Sequence, residues 1–174
     1  MQTIGFYPGS FDPFTVGHLE IVKKAAKLFD IVYVGIGVNP DKKRYIDTAI
    51  MKFAMEATIR SCKLTNVRVC VYNTLTSEYA KQINATHIIR GIRNNIDYNY
   101  EETLAGINEK LNSDVDTVYL RAGKYGCISS SVVKEILKYS KPVAIKEYVP
   151  EHVYVEIVIK EKKEEEQKWL NLLN

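Results

Sequence analysis

Short β-branched runs alternate along this chain with stretches at helical spacing, and few architectures accept that order. Residues 31–38, Ile-Val-Tyr-Val-Gly-Ile-Gly-Val, are apolar at nearly every position, as a strand covered on both faces must be. Residues 3–7, 67–72, 87–90 and 116–120 read as four further strands. Between them, His18, Val22, Ala25, Ala26 and Phe29 fall on one helical face, and residues 51–59, 98–111 and 130–139 read as helices. Leu75 and Thr76, after the third strand, read as loop. Strands alternating with helices predict a doubly wound α/β domain on a five-stranded parallel sheet, because right-handed crossovers place helices on both faces. Ligands bind such sheets at the carboxyl ends of the strands, near the topological switch point.

A chain of 174 residues suits a single domain. Its 24 basic and 21 acidic residues leave a net charge of +3, too even a balance to point to nucleic acid. Cys62, Cys70 and Cys127 are odd in number and lack C-x-x-C spacing, and with His18, His87 and His152 they make no zinc pattern. They read as reduced, mostly buried thiols of a cytoplasmic protein. Neither a signal-peptide pattern nor an apolar run of membrane-spanning length is present, so no membrane partner is expected. The composition shifts once. Residues 160–168 carry four Lys and four Glu with i,i+4 pairs such as Lys160–Glu164, the pattern of an exposed helix. The main domain is therefore drawn at 1–159 and a charged helical extension at 160–174. Its apolar tip, Trp169, Leu170, Leu172 and Leu173, needs cover from its own domain or a neighbour, which favours a homo-oligomer.

Four polar clusters lie where the predicted strands end. Tyr7-Pro8-Gly9-Ser10-Phe11-Asp12-Pro13-Phe14-Thr15-Val16-Gly17-His18 follows the first strand and brings two hydroxyls and an imidazole to a helix N-terminus, where backbone N–H groups and the dipole favour anions. The plainer reading is a turn relaxed by Gly17 and a helix capped by His18. Arg90-Gly91-Ile92-Arg93 follows the fourth strand; two guanidiniums suit polyphosphate, although surface pairing with Asp97, Glu101 or Glu102 would also use them. Ile128-Ser129-Ser130-Ser131 opens a predicted helix, as an N-cap or as a cradle for phosphate oxygens. Lys134, one turn in, faces either that cradle or solvent. Asn39-Pro40-Asp41-Lys42-Lys43-Arg44 follows the second strand, and Lys43 and Arg44 read as solvated.

The first of these strings resembles the T/H-x-G-H signature of the nucleotidyltransferase superfamily. Its longer form, with R-G-I-R followed by Asp97-Tyr98-Asn99-Tyr100-Glu101 and with I-S-S-S, is similar to the phosphopantetheine adenylyltransferase family over residues 1–160. The resemblance implies a Rossmann-like fold and adenylyl transfer from ATP to 4′-phosphopantetheine, with dephospho-coenzyme A as product, coenzyme A as a further ligand, and a hexamer. The alternatives are transfer to nicotinamide mononucleotide, cytidylyl transfer, or a nucleotide sensor without turnover. It further implies that His18 and Lys42 are catalytic, and that Ser10, Lys42, Thr76 and Arg90 bind the acceptor. Ser10, Phe11, His18, Gly91, Ile92, Arg93 and Glu101 would bind ATP, as would Tyr125, Gly126, Cys127, Ile128, Ser129, Ser130 and Ser131. No metal-ligand set is visible, so Mg²⁺ is expected to ride mainly on the ATP phosphates. The loop before I-S-S-S is shorter than in some relatives, and Ser10 stands where many have Thr.

Overall fold

The computed structural model describes residues 2–173, together with their side chains except that of Leu173. Five parallel strands form one sheet in the order β3-β2-β1-β4-β5. They are β1 (Ile4–Gly9), β2 (Ile31–Gly37), β3 (Val67–Tyr72), β4 (His87–Gly91) and β5 (Asp116–Leu120). The helices are α1 (Val16–Leu28), α2 (Thr48–Ser61), α3 (Thr76–Gln82), α4 (Asn95–Leu111), α5 (Ser130–Tyr139) and α6 (Glu151–Leu173). The doubly wound sheet expected from the alternation is therefore present, with the order reversing between β1 and β4.

That switch point opens into a crevice for a local reason. β1 pairs with β2 along its full length, Ile4 with Ile31 through Gly9 with Ile36. With β4 it pairs only at Gly5 and Phe6. Ile4 addresses Thr86 with both its N–H and its carbonyl. By the two-residue period of a strand, Pro8 faces the same side. Proline has no N–H to offer there, so the β1–β4 ladder cannot continue and the two carboxyl ends separate.

A large core lies on one face of the sheet, where Val22 and Ala25 of α1, Met51 and Met55 of α2, Val133 of α5, and Val153 and Ile157 of α6 share one buried cluster with Val32, Val34 and Ile36. A smaller core on the other face gathers Phe6, Ala80, Ala85, Ile88 and Val115. Three differences from the sequence reading stand out. Thr76, which read as loop, opens an α3 that the sequence reading did not include; the helix buries only Ser77 and Ala80, so no apolar stripe announces it. α6 is one continuous helix through residue 160, packed on α2, with exposed residues after Glu161. The cysteines are not mostly buried: Cys62 and Cys70 are half-buried and Cys127 is exposed.

Candidate active site

A cleft of about 280 Å³ sits at the switch point, lined from β1 and its loop, the first turn of α1, the end of β4, Glu101 of α4, and the segment leading into α5. His18 enters it from α1. Thr15 caps that helix, its hydroxyl accepting from the His18 N–H at 3.3 Å. In return the Thr15 N–H donates to His18 Nδ1 at 3.0 Å. An Nδ1 that accepts carries no proton, so the neutral ring bears its hydrogen on Nε2. Burial, and then the Arg93 charge, lower the His18 pKa from 6.5 to about 4. The capping reading and the functional reading thus describe one device, in which the cap fixes the tautomer.

Phe11 adopts φ +44°, uncommon for an aromatic residue. Packing holds it there: its ring, 2% exposed, sits edge-on to Tyr7, Phe14 and His18. Gly17 answers a close approach. A Cβ there would lie 2.9 Å from the Ile128 carbonyl and 3.0 Å from that of Tyr125, so only glycine lets α1 touch the segment before α5. Ser10 is exposed at the cleft wall.

Arg90, Gly91, Ile92 and Arg93 line the opposite wall, with Glu101 beside them. Arg90 Nε lies 3.2 Å from Glu101 Oε2, an oxygen that is buried without an aligned hydrogen bond. Arg93 forms a fork with Asp97, Nε at 2.6 Å and the second nitrogen at 3.2 Å. The surface pairs foreseen as the plainer alternative therefore exist, at the edge of the same cleft. Such carboxylates hold guanidiniums in place and compete with an incoming anion for them. Tyr7, missed in the sequence, lines the same cleft; burial raises its pKa, so it is a neutral hydroxyl.

Ser129, Ser130 and Ser131 reach the cleft together with Tyr125 and Ile128. Ser129 is the N-cap of α5, accepting from the Val132 N–H at 3.2 Å. Ser130 donates to the Pro13 carbonyl at 2.8 Å and ties α5 to the β1–α1 loop. Ser131 is exposed. Gly126 and Cys127 belong to the same segment but do not line the cleft; nor do Thr76 and Lys42. Thr76 opens α3, and its hydroxyl lies 3.3 Å from Tyr72 Oη. Lys42 stands exposed on a turn closed by its own N–H to the Asn39 carbonyl.

Arg44 is a correction. It is not solvated: its side chain is 14% exposed, donates to the Ser10 carbonyl at 2.8 Å and to the Ile46 carbonyl at 3.2 Å. The residue that organises this corner is Asp12, also missed. Its buried carboxylate accepts from the N–H groups of Tyr45 and Ile46 at 2.9–3.1 Å. Arg44 and Lys134 flank it at 3.9 and 3.7 Å, so Lys134 turns toward Asp12 and not simply to solvent. One carboxylate thereby joins the β1–α1 loop, the β2–α2 loop and α5. A carboxylate between two aromatics in the motif string was the available signal.

A family model described as cytidylyltransferase-like matches residues 6–136. Phosphopantetheine adenylyltransferase of Streptococcus pyogenes is 40% identical over 159 residues, covering 90% of this chain and 95% of that one. Its counterpart from Caldanaerobacter subterraneus is 39% identical over 166 residues, 92% and 98% of the two chains. The crystal structure of a putative nicotinate-nucleotide adenylyltransferase from Vibrio parahaemolyticus superposes with a TM-score of 0.70 at 16% identity, over 91% of this chain and 99% of that one. At that identity the likeness is one of fold.

Proposed function

We infer, from a chain that belongs to the phosphopantetheine adenylyltransferase family, that this protein transfers the adenylyl group of ATP to 4′-phosphopantetheine, giving dephospho-coenzyme A and pyrophosphate in the penultimate step of coenzyme A synthesis. The observation that carries this reading is 40% identity to a phosphopantetheine adenylyltransferase over 90% of the chain, with the signature strings gathered at one cleft.

The proposed chemistry is a single in-line displacement. An oxygen of the acceptor phosphate forms a bond to the α-phosphorus. The bond from that phosphorus to the oxygen bridging the β-phosphate breaks, and its electron pair leaves with pyrophosphate. The acceptor phosphate is ionised near neutral pH, so no protein base is required. Positioning and charge stabilisation then carry the rate. His18 donates Nε2–H to the α-phosphate, where negative charge builds in the transition state. Ser10 orients the acceptor phosphate and Arg90 binds it. Arg93 and Ser129 to Ser131, with the amides opening α5, hold the leaving pyrophosphate. Phe11, Gly91, Ile92, Glu101 and the Tyr125–Ile128 segment (residues 125–128) complete the nucleotide side, and Thr76 is assigned to the pantetheine arm. Lys42, on a turn at the edge of this region, bridges donor and acceptor phosphates once both are bound.

Among the described residues no group of three or more His, Cys, Asp or Glu could hold a metal ion. The cleft's hydroxyls, amides and Arg93 suit phosphate oxygens, and these residues would hold Mg²⁺ through the phosphates of ATP. Bound there, the ion supplies charge neutralisation. Exposed apolar side chains on α4 (Ile96, Tyr100, Leu111) and α6 (Trp169, Leu172) support a homo-oligomer, assigned as a hexamer by resemblance. No helix among the described residues is long and apolar enough to cross a membrane, and a cytoplasmic enzyme is proposed.

ATP labelled at the α-phosphorus tests the reaction. The label should appear in dephospho-coenzyme A and be absent from pyrophosphate. Label remaining in AMP without acceptor product would reject the transfer.

A further inference from the structure

Tyr45 is held from both ends. Its N–H lies 2.9 and 3.1 Å from the two Asp12 carboxylate oxygens, while its hydroxyl donates to Glu161 Oε1 on α6 at 2.6 Å. Lys160 Nζ stands 4.2 Å from the centre of the Tyr45 ring and pairs with Glu164 one turn on. Burial first, and then the Glu161 carboxylate, push the Tyr45 phenol above its ordinary pKa, so its hydroxyl keeps the proton it donates. Glu161 is also the last half-buried residue of α6 in the described part of the chain; residues 162–172 are exposed. The packed portion of the helix thus ends where it grips the β2–α2 loop. Arg44 of the same loop donates to the Ser10 carbonyl, so the grip lies one residue from a wall of the cleft.

We propose that Glu161 is a positioning residue for adenylyl transfer: through Tyr45 it fixes the β2–α2 loop so that Lys42 meets the acceptor phosphate. This rests on the function proposed above. Without the clasp the loop keeps its Asp12 anchor at the backbone and the Arg44 contact with Ser10 but loses the Tyr45 side-chain anchor, and Lys42 samples more positions. The effect belongs on acceptor binding and, because Lys42 also bridges to the donor phosphate in the ternary complex, on kcat, whereas ATP affinity is set mainly by β4, α1 and α5. A tail remote from the cleft in sequence thereby bears on acceptor affinity.

The test uses the full-length protein with Glu161→Ala, Tyr45→Phe, Glu161→Gln and, as a control on the exposed helix face, Glu165→Ala. Amide hydrogen exchange over residues 39–46 is measured beside steady-state kinetics. Loss of one hydrogen bond to a charged group, felt only in part at Lys42, predicts a KM for 4′-phosphopantetheine raised about three- to tenfold in Glu161→Ala and Tyr45→Phe. The KM for ATP should be unchanged, and exchange across the loop should be faster. Glu161→Gln, whose amide oxygen still accepts, should stay near wild type, as should Glu165→Ala. On a Lys42→Ala background, Glu161→Ala should add little, because both act through one cation. Unchanged loop exchange and KM in Glu161→Ala would overturn the proposal. So would an equal rise in both KM values, which would mark general destabilisation. If the wild-type protein failed to use 4′-phosphopantetheine, the functional reading would fall, and the exchange data alone would decide the clasp.

Discussion

His18 carries the most demanding claim at the scale of a single residue. A Thr15 N–H on Nδ1 at 3.0 Å leaves the proton on Nε2, and the lowered pKa keeps the ring neutral. His18→Ala should reduce turnover about a hundred- to a thousandfold, the usual loss for one preorganised donor, while ATP dissociation changes little. Rapid-quench turnover beside equilibrium nucleotide titration checks both halves; wild-type turnover would reduce His18 to a cap. The same ring has a consequence for stability. Its unfolded pKa is 6.5 and its folded value about 4, so below pH 6.5 the unfolded chain takes up a proton that the native chain refuses. The stabilisation is complete above pH 6.5 and is lost as pH falls toward 4. Urea unfolding at pH 7 and pH 5 should show a larger drop for wild type than for His18→Asn. Equal drops would mean the ring titrates normally.

The elements around the cleft meet through Asp12, whose carboxylate joins two loops and lies near α5. Asp12→Ala should lower stability by about 2–4 kcal/mol, since it strands buried backbone N–H groups and removes the carboxylate beside Arg44 and Lys134. Thermal or urea unfolding reads this directly, and a loss under about 0.5 kcal/mol would mean water replaces the carboxylate. On the β2–α2 loop, Lys42→Ala should raise acceptor KM and lower kcat, whereas Lys43→Ala should do little; equal effects would reveal a diffuse basic patch. Lys42→Arg should rescue only in part, because a planar fork does not replace a compact ammonium. Much of this corner was legible beforehand. Strand runs such as residues 31–38 and the glycine-punctuated string before His18 follow from local periodicity and turn chemistry. The Asp12 hub and the half-buried Arg44 were not legible, because the contacts between their two loops span 32–34 positions and pairing depends on how loops fold over one another. α3 escaped because Ser77 and Ala80 are too small to mark a buried face.

At the scale of the whole molecule, the sheet's switch point, opened where Pro8 ends the β1–β4 ladder, brings together the strings that follow β1, β4 and β5. The packed part of the C-terminal helix ends at Glu161, and residues 162–172 are exposed. Removing residues 162–174 should leave a folded enzyme with unchanged kcat and KM, while light scattering shows whether the exposed Trp169 and Leu172 contribute to assembly. A truncated protein that stays folded and assembled but cannot transfer AMP would place the far tail in the active site. Acceptor choice distinguishes this enzyme from its nucleotidyltransferase relatives most directly. Pyrophosphate release should be measured with ATP and, in parallel, 4′-phosphopantetheine, nicotinamide mononucleotide and nicotinic acid mononucleotide. Saturable turnover with the first alone is the predicted result; turnover with either mononucleotide in its place, or with none of the three, would contradict it.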